Sequence, residues 1–413
     1  MRYAVELREN WRPLAAAFVG LGSGFSLTMY TTSIMAPHLL SEFGWSKSEF
    51  ALVGSLSLLM IPILPLIGRL ADVLGARRAA FIGIVSLPLC FVAYSLMKGD
   101  IRTYIGLFLV QSMLCVTTTA TVYTRIVVQY IKDARGLALA IVASGPALTG
   151  AIGGPLLNDF VESHGWRAGY LALMVFSVVA GAITLLLMPR DRLADGRVAP
   201  VKARSIRQDY PEIIANPAFW LMLAAMVLCN IALAISQTQL KLVLLDNGIA
   251  ASGISVLISA FAVGILLGRF VCGVALDRYP AHRVAALVMS LTSVGLLLLA
   301  SHVAARPVQL LAVVLFGVSF GGEGDLIGYL VVRHFGVRVY STVLGVMTAG
   351  TITASSLGAA LLSFTLKMTG GYTLFLTGSA VTVAVGSGLF LLLGRRGNGS
   401  ADVPQVQSAL GVG

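Results

Sequence analysis

Charge is scarce in this chain. Aspartate, glutamate, lysine and arginine make up 11% of its 413 residues, against about 25% in an ordinary soluble domain. So few charges cannot clothe a water-facing surface, and hydrophobic residues reach 57%. A soluble globular protein is excluded, and the bilayer is the solvent. Acidic residues are scarcer than basic ones, 18 against 29, which leaves a net charge of +11. No zinc spacing, compact basic run or RNA-binding signature accompanies that excess, so it reads as membrane topology and not as a nucleic-acid surface. Cysteine is rare too: Cys90, Cys115, Cys229 and Cys272 all fall inside apolar runs with no close spacing. A disulfide framework and a cysteine metal site are thereby excluded. The five histidines share no metal-ligand spacing, and neither a phosphate-binding loop nor a nucleophile elbow is present. No metal, cofactor or ATP-driven step is expected.

Long apolar runs fill the chain instead. Backbone groups in lipid must be satisfied within their own segment, so the expected fold is an all-α membrane protein. Twelve transmembrane helices are read at approximately 13–39, 49–68, 79–97, 103–124, 136–160, 168–188, 218–244, 254–276, 284–302, 308–332, 343–366 and 373–394. They imply an N-terminal segment 1–12, a first six-helix bundle 13–188, a linker 189–217, a second six-helix bundle 218–394 and a disordered tail 395–413. Lys and Arg gather at the ends and in the linker that share a side with the N-terminus, including Arg77, Arg135, Arg190, Arg338 and Arg396. That bias puts both termini in the cytoplasm.

A repeat divides the spans six and six. GRLADVLGARR (68–78) lies over GVALDRYPAHR (273–283) at an offset of 205 residues (277 − 72). Gly68 matches Gly273, Asp72 matches Asp277 and Arg78 matches Arg283. At the same offset Gly145 matches Gly350 and Gly153 matches Gly358, in the fifth and eleventh spans. Matches in two separated places at one offset argue for duplicated halves, a hallmark of secondary transporters.

GRLADVLGARR resembles the loop 2–3 signature of the major facilitator superfamily, and GVALDRYPAHR is its weaker echo. The resemblance covers essentially the whole chain. It implies two pseudo-symmetric six-helix bundles around a central cavity that opens alternately to either side, lined by spans 1, 2, 4, 5, 7, 8, 10 and 11. It also implies that Asp72, Arg78, Asp277 and Arg283 act in gating the cytoplasmic side. Four further stretches, FGWSKSEF, RGLALAIVASGPALTG, HGWRAGYL and LLGRFVCGVALDR, resemble the monocarboxylate porter branch and its bacterial relatives. In that branch an arginine in span 8 binds the substrate carboxylate, and the matching residue is Arg269. Two features depart from the branch: span 1 has no lysine, and the position four before Arg269 is Ile265 where an acid is usual.

Charge inside a span marks the transport pathway more often than not. From Ile254 to Leu276 the chain is apolar or small apart from Arg269, which lies roughly 12 Å inside the helix end at Asp277. That depth is a long reach for snorkelling, and a planar guanidinium fork suits a carboxylate. Glu323 and Asp325 in span 10 (VSFGGEGDLIGYLVV) are the acids for proton coupling or for a permanent ion pair. Two residues apart, they point to nearly opposite sides of a regular helix unless the glycines loosen it. Arg125 in span 4 either anchors at the interface or joins an ion pair. Tyr123, Tyr329, Tyr30 and Gln239 are further substrate-binding candidates, with Gln237 beside them, while Lys241 snorkels outward.

The expected function is proton-coupled symport of a small organic carboxylate by a monomer in the cell inner membrane. Carboxylate exchange and drug efflux are the alternatives within transport. An enzyme would need catalytic residues clustered at one interface, and a receptor a sizeable soluble domain; neither is found.

Overall fold

The computed structural model describes residues 2–45, 58, 60–189, 206–233, 235, 240–249, 251–303 and 305–396. Among these residues every regular element is a helix. Among the described residues nine helices are long and apolar enough to cross a membrane, or ten if one bent pair is a single span. Spans 3, 6 and 9 are Ala76–Ser95, Trp166–Leu187 and Ala281–Ala300, and spans 10 and 11 are Arg306–Phe335 and Tyr340–Thr369. The first part of span 2 and residues 236–239 of span 7 lie outside the described residues.

Several spans are broken. Span 1 consists of Trp11–Gly22 and Leu27–Phe43, with Ser26 donating back to Leu21 O at the break. Span 4 runs Ile101–Cys115, a 3-10 turn Val116–Thr118, then Ala120–Tyr130. Between the last two, Thr119 is extended (φ −96°, ψ 176°), which rotates the second segment relative to the first. Span 5 divides into Arg135–Ala143 and Gly145–His164. Span 10 is one unbroken helix, so its glycines do not loosen it.

Those glycines instead admit span 8, Ala251–Arg278. A Cβ at Gly268 would fall 2.0 Å from Val318 O, and one at Gly321 would fall 2.0 Å from Ile265 O. Small residues let the two backbones touch, as membrane helices without a hydrophobic drive between them require. Close packing there brings Arg269 next to the helix that carries Asp325.

The duplication is visible in the turns. Gly165 (φ 83°) ends span 5 and Gly370 (φ 71°), 205 residues on (370 − 165), ends span 11. Both conformations are ones a side chain rarely adopts. On the face away from the N-terminal helix, FGW and HGWR meet. The Trp166 indole N–H and an Arg167 N–H donate to Glu42 at 2.5 and 2.6 Å, and Phe43 packs edge-on to Trp166 at 5.5 Å. Those two donors hold the Glu42 carboxyl below its usual range, the indole first.

Candidate functional site

The face carrying the N-terminal helix Arg2–Glu9 is called the N-side here. Two carboxylates bridge the halves on it. Asp72, at the end of the span 2 helix Met60–Leu74, accepts the backbone N–H of Ser341 at 3.1 Å on Oδ1 and that of Thr342 at 2.7 Å on Oδ2. The Thr342 hydroxyl adds a third bond at 2.6 Å. Asp277, at the end of span 8, accepts Gly136 N–H at 2.7 Å on Oδ1 and Leu137 N–H at 3.1 Å on Oδ2. Gly136 and Leu137 lie 205 residues before Ser341 and Thr342 (341 − 136), so the two backbone N–H pairs correspond atom for atom. The first N–H groups of a helix have no partner of their own, and the helix dipole favours an anion there.

The paired glycines of the repeat allow this approach. A Cβ at Gly68 would lie 2.0 Å from Ser341 O, and one at Gly273 would lie 2.7 Å from Gly136 O. The side chains around the two carboxylates differ. Arg125 forms an ion pair with Asp72 and donates to Val337 O at 2.8 Å, whereas the residue equivalent to Arg125 is Leu330 (125 + 205). Beside the ion pair, the buried Tyr340 hydroxyl donates across the halves to Thr124 Oγ1 at 3.0 Å. Arg78 and Arg283 are exposed, and neither enters a hydrogen bond or ion pair among the described residues. The turns at Gly75 and Pro280 place them on spans 3 and 9.

Toward the middle of the protein, the Arg269 guanidinium donates to Ala143 O, the last helical carbonyl before the break in span 5. Its Nε is buried without a partner. Asp325 is 3% exposed, lies within the field of Arg269, and has Oδ2 buried without a partner. No ion pair joins the two. A buried carboxylate oxygen and a buried guanidinium N–H, both unsatisfied, are costly unless something else completes them.

The other sequence candidates disperse. Glu323 faces away from Asp325, into a small pocket of the C-terminal half beside Asn230, Thr292 and Ser319. Tyr123 is fully buried in the N-terminal half, against Gly20, Ile84, Ser177 and Gly181, its hydroxyl without a partner. The break at Thr119 turns it there, so it is not at the Arg269 site. Tyr329 lies one turn beyond Asp325 and within the field of Asp277, closer to the N-side contact. Tyr30 packs over Gly150 and lines an apolar cavity of about 490 Å³ with Thr149, Ile152 and Leu156. Gln237 and Gln239 lie outside the described residues, as does the side chain of Lys241. The groups that sequence reasoning missed are mostly backbone: the N–H pairs under Asp72 and Asp277, and Ala143 O.

Two duplicated halves, joined on one side by symmetric carboxylate caps, are the architecture of a membrane transporter. The chain belongs to the Major Facilitator Superfamily, whose family model matches residues 16–244, more than half of it. It is a transporter and not an enzyme. It is 24% identical over 404 residues to human monocarboxylate transporter 11, covering 93% of this chain and 82% of that one. Mouse monocarboxylate transporter 11 is 27% identical over 183 residues, covering 44% of this chain and 38% of that one. Among solved structures, the Escherichia coli fucose:proton symporter FucP matches with TM-score 0.67 at 14% identity, covering 94% and 98% of the two chains. An outward-facing bacterial homologue of the iron transporter ferroportin matches with TM-score 0.72 at 14% identity, covering 94% and 99%. At those identities the likeness is one of fold.

Proposed function

We propose that this transporter carries a small organic monocarboxylate together with a proton, by alternating access, in a cell inner membrane with its N-side facing the cytoplasm. The observation that carries the reading is the Arg269–Asp325 arrangement: one half-buried cation and one buried acid on touching helices, each with a buried, unsatisfied atom. A substrate carboxylate supplies what Arg269 lacks, because a guanidinium binds a carboxylate through two parallel N–H bonds. Asp325 is the proton carrier and takes the part of the acid missing at Ile265. An anion arriving at Arg269 weakens the pull of that cation on the Asp325 carboxylate and so favours its protonation. Arg269 also holds Ala143 O of the opposite half, so substrate that draws the guanidinium away loosens one contact between the halves. Asp72 and Asp277 gate the N-side through the helix caps, and Arg125 acts with Asp72. Similarity to a monocarboxylate transporter supports the same substrate class.

Uptake of a panel of labelled monocarboxylates into proteoliposomes, with and without an inward proton gradient, tests the proposal. Accumulation above equilibrium that collapses with a protonophore is the expected result. Exchange that ignores the gradient would replace symport with the carboxylate-exchange alternative.

A further inference from the structure

The segments that precede spans 1 and 7 are also equivalents in the repeat. The N-terminal helix Arg2–Glu9, moved by 205 residues, falls on 207–214, inside the linker helix Ile206–Ala215. Each carries an acid that grips the loop leading into the capped helix of its own half. The Glu6 carboxylate accepts N–H bonds from Lys132 at 2.7 Å, Asp133 at 3.0 Å and Ala134 at 2.8 Å, just before span 5 begins at Arg135. Asp209 and Glu212 pair with Arg338, just before span 11 begins at Tyr340, Glu212 at 3.0 Å. Arg338 is the equivalent of Asp133 (133 + 205). Each helix then reaches the capping span of the opposite half. Asp209 pairs with Arg69 of span 2 at 2.5 Å, one turn before Asp72. The Tyr3 hydroxyl donates to Asp277 O of span 8 at 3.4 Å, near the long limit of a hydrogen bond.

We propose that these two helices are a pair of straps over the N-side, with Glu6 and Asp209 as positioning residues that hold the caps of Asp277 and Asp72 in place. The linker strap is the stronger. Asp209 is 2% exposed and shared by a cation from each half, so separating the halves on this side must uncover it or strip it of one partner. The N-terminal strap crosses through one long bond, and most of its hold is on the loop before span 5. It serves the cap that has Leu330 where the other has Arg125. The proposal rests on alternating access but not on the identity of the substrate.

The test is the distance between spin labels at Val73→Cys and Tyr279→Cys, exposed positions on the N-side of opposite halves, in purified full-length protein in nanodiscs. Asp209→Asn is expected to add a longer-distance population, raising the open-to-closed ratio several-fold. Arg338→Gln, which leaves the Arg69–Asp209 pair intact, is expected to do the same to a lesser degree. Glu6→Gln should give the smallest shift, and Glu6→Gln with Arg338→Gln more than either alone. Should Asp209→Asn fail to fold, Arg338→Gln and Glu6→Gln decide the matter. Lowered melting temperatures with an unchanged distance distribution would make the helices merely structural and overturn the proposal. The measurement needs no transported substrate, so lost uptake of every carboxylate would overturn the transport reading while leaving the straps standing.

Discussion

Asp72 and Asp277 do the same work from opposite halves, each caps a helix that belongs to the other, and only Asp72 also holds a buried arginine. The asymmetry separates their mutants. Asp72→Asn leaves the Arg125 guanidinium, with 10% of its side chain exposed, without its anion, a loss of roughly 3–5 kcal/mol for a buried pair. Asp277→Asn keeps an acceptor for one N–H and loses a charge at a helix end, about 1 kcal/mol. Both should shift the protein toward N-side-open states, Asp72→Asn far more, as read by cysteine labelling from the N-side at the inner half of span 10. Equal labelling in the two variants would remove Arg125 from the gate.

Gly68 sets how close the halves come. With a Cβ 2.0 Å from Ser341 O, Gly68→Ala cannot keep the N-side contact without moving backbone. Gly273→Ala, at 2.7 Å from Gly136 O, demands a smaller displacement. Transport should fall severely in the first variant and less in the second, while both still reach the membrane. Normal turnover by Gly68→Ala would mean that span 2 and span 11 do not close this tightly during the cycle.

The Glu42 cluster lies on the far side and is tied to stability. Its carboxyl is held below the usual range, so the contribution of the charged form is present at neutral pH and is lost as pH falls through the carboxylate range. Glu42→Gln should lower the melting temperature at pH 7, with a deficit that shrinks as pH falls below the usual carboxylate range. A deficit that does not change with pH would assign the effect to packing against Trp166 instead of charge.

The repeat and its glycines and aspartates were legible because duplication leaves identical letters at a constant spacing. What Asp72 and Asp277 bind was not, because backbone N–H groups have no letter of their own. Residue periodicity correctly separated Glu323 from Asp325, since span 10 is one regular helix. Tyr123, a substrate-binding candidate by sequence, packs inside the N-terminal half, because the extended residue Thr119 resets the phase of span 4 and nothing nearby in sequence announces it. From sequence alone the glycines of span 10 could loosen the helix; their reason, contact with span 8, lies about 50 residues away along the chain (318 − 268). The linker's acids were legible only as charge, since the arginines they join come from segments far apart in sequence.

The most direct test of the account compares Arg269→Lys and Asp325→Asn in proteoliposomes, with uptake driven by a proton gradient measured beside exchange of labelled for unlabelled substrate. Lysine keeps the charge and loses the planar fork, so Arg269→Lys should lose both activities by more than tenfold, about 1.4 kcal/mol or more of binding. Asp325→Asn should abolish gradient-driven accumulation and retain exchange, because an amide cannot carry the proton. Accumulation by Asp325→Asn at the unmodified rate, or unimpaired exchange by Arg269→Lys, would contradict the assignment of these two residues as proton carrier and carboxylate site.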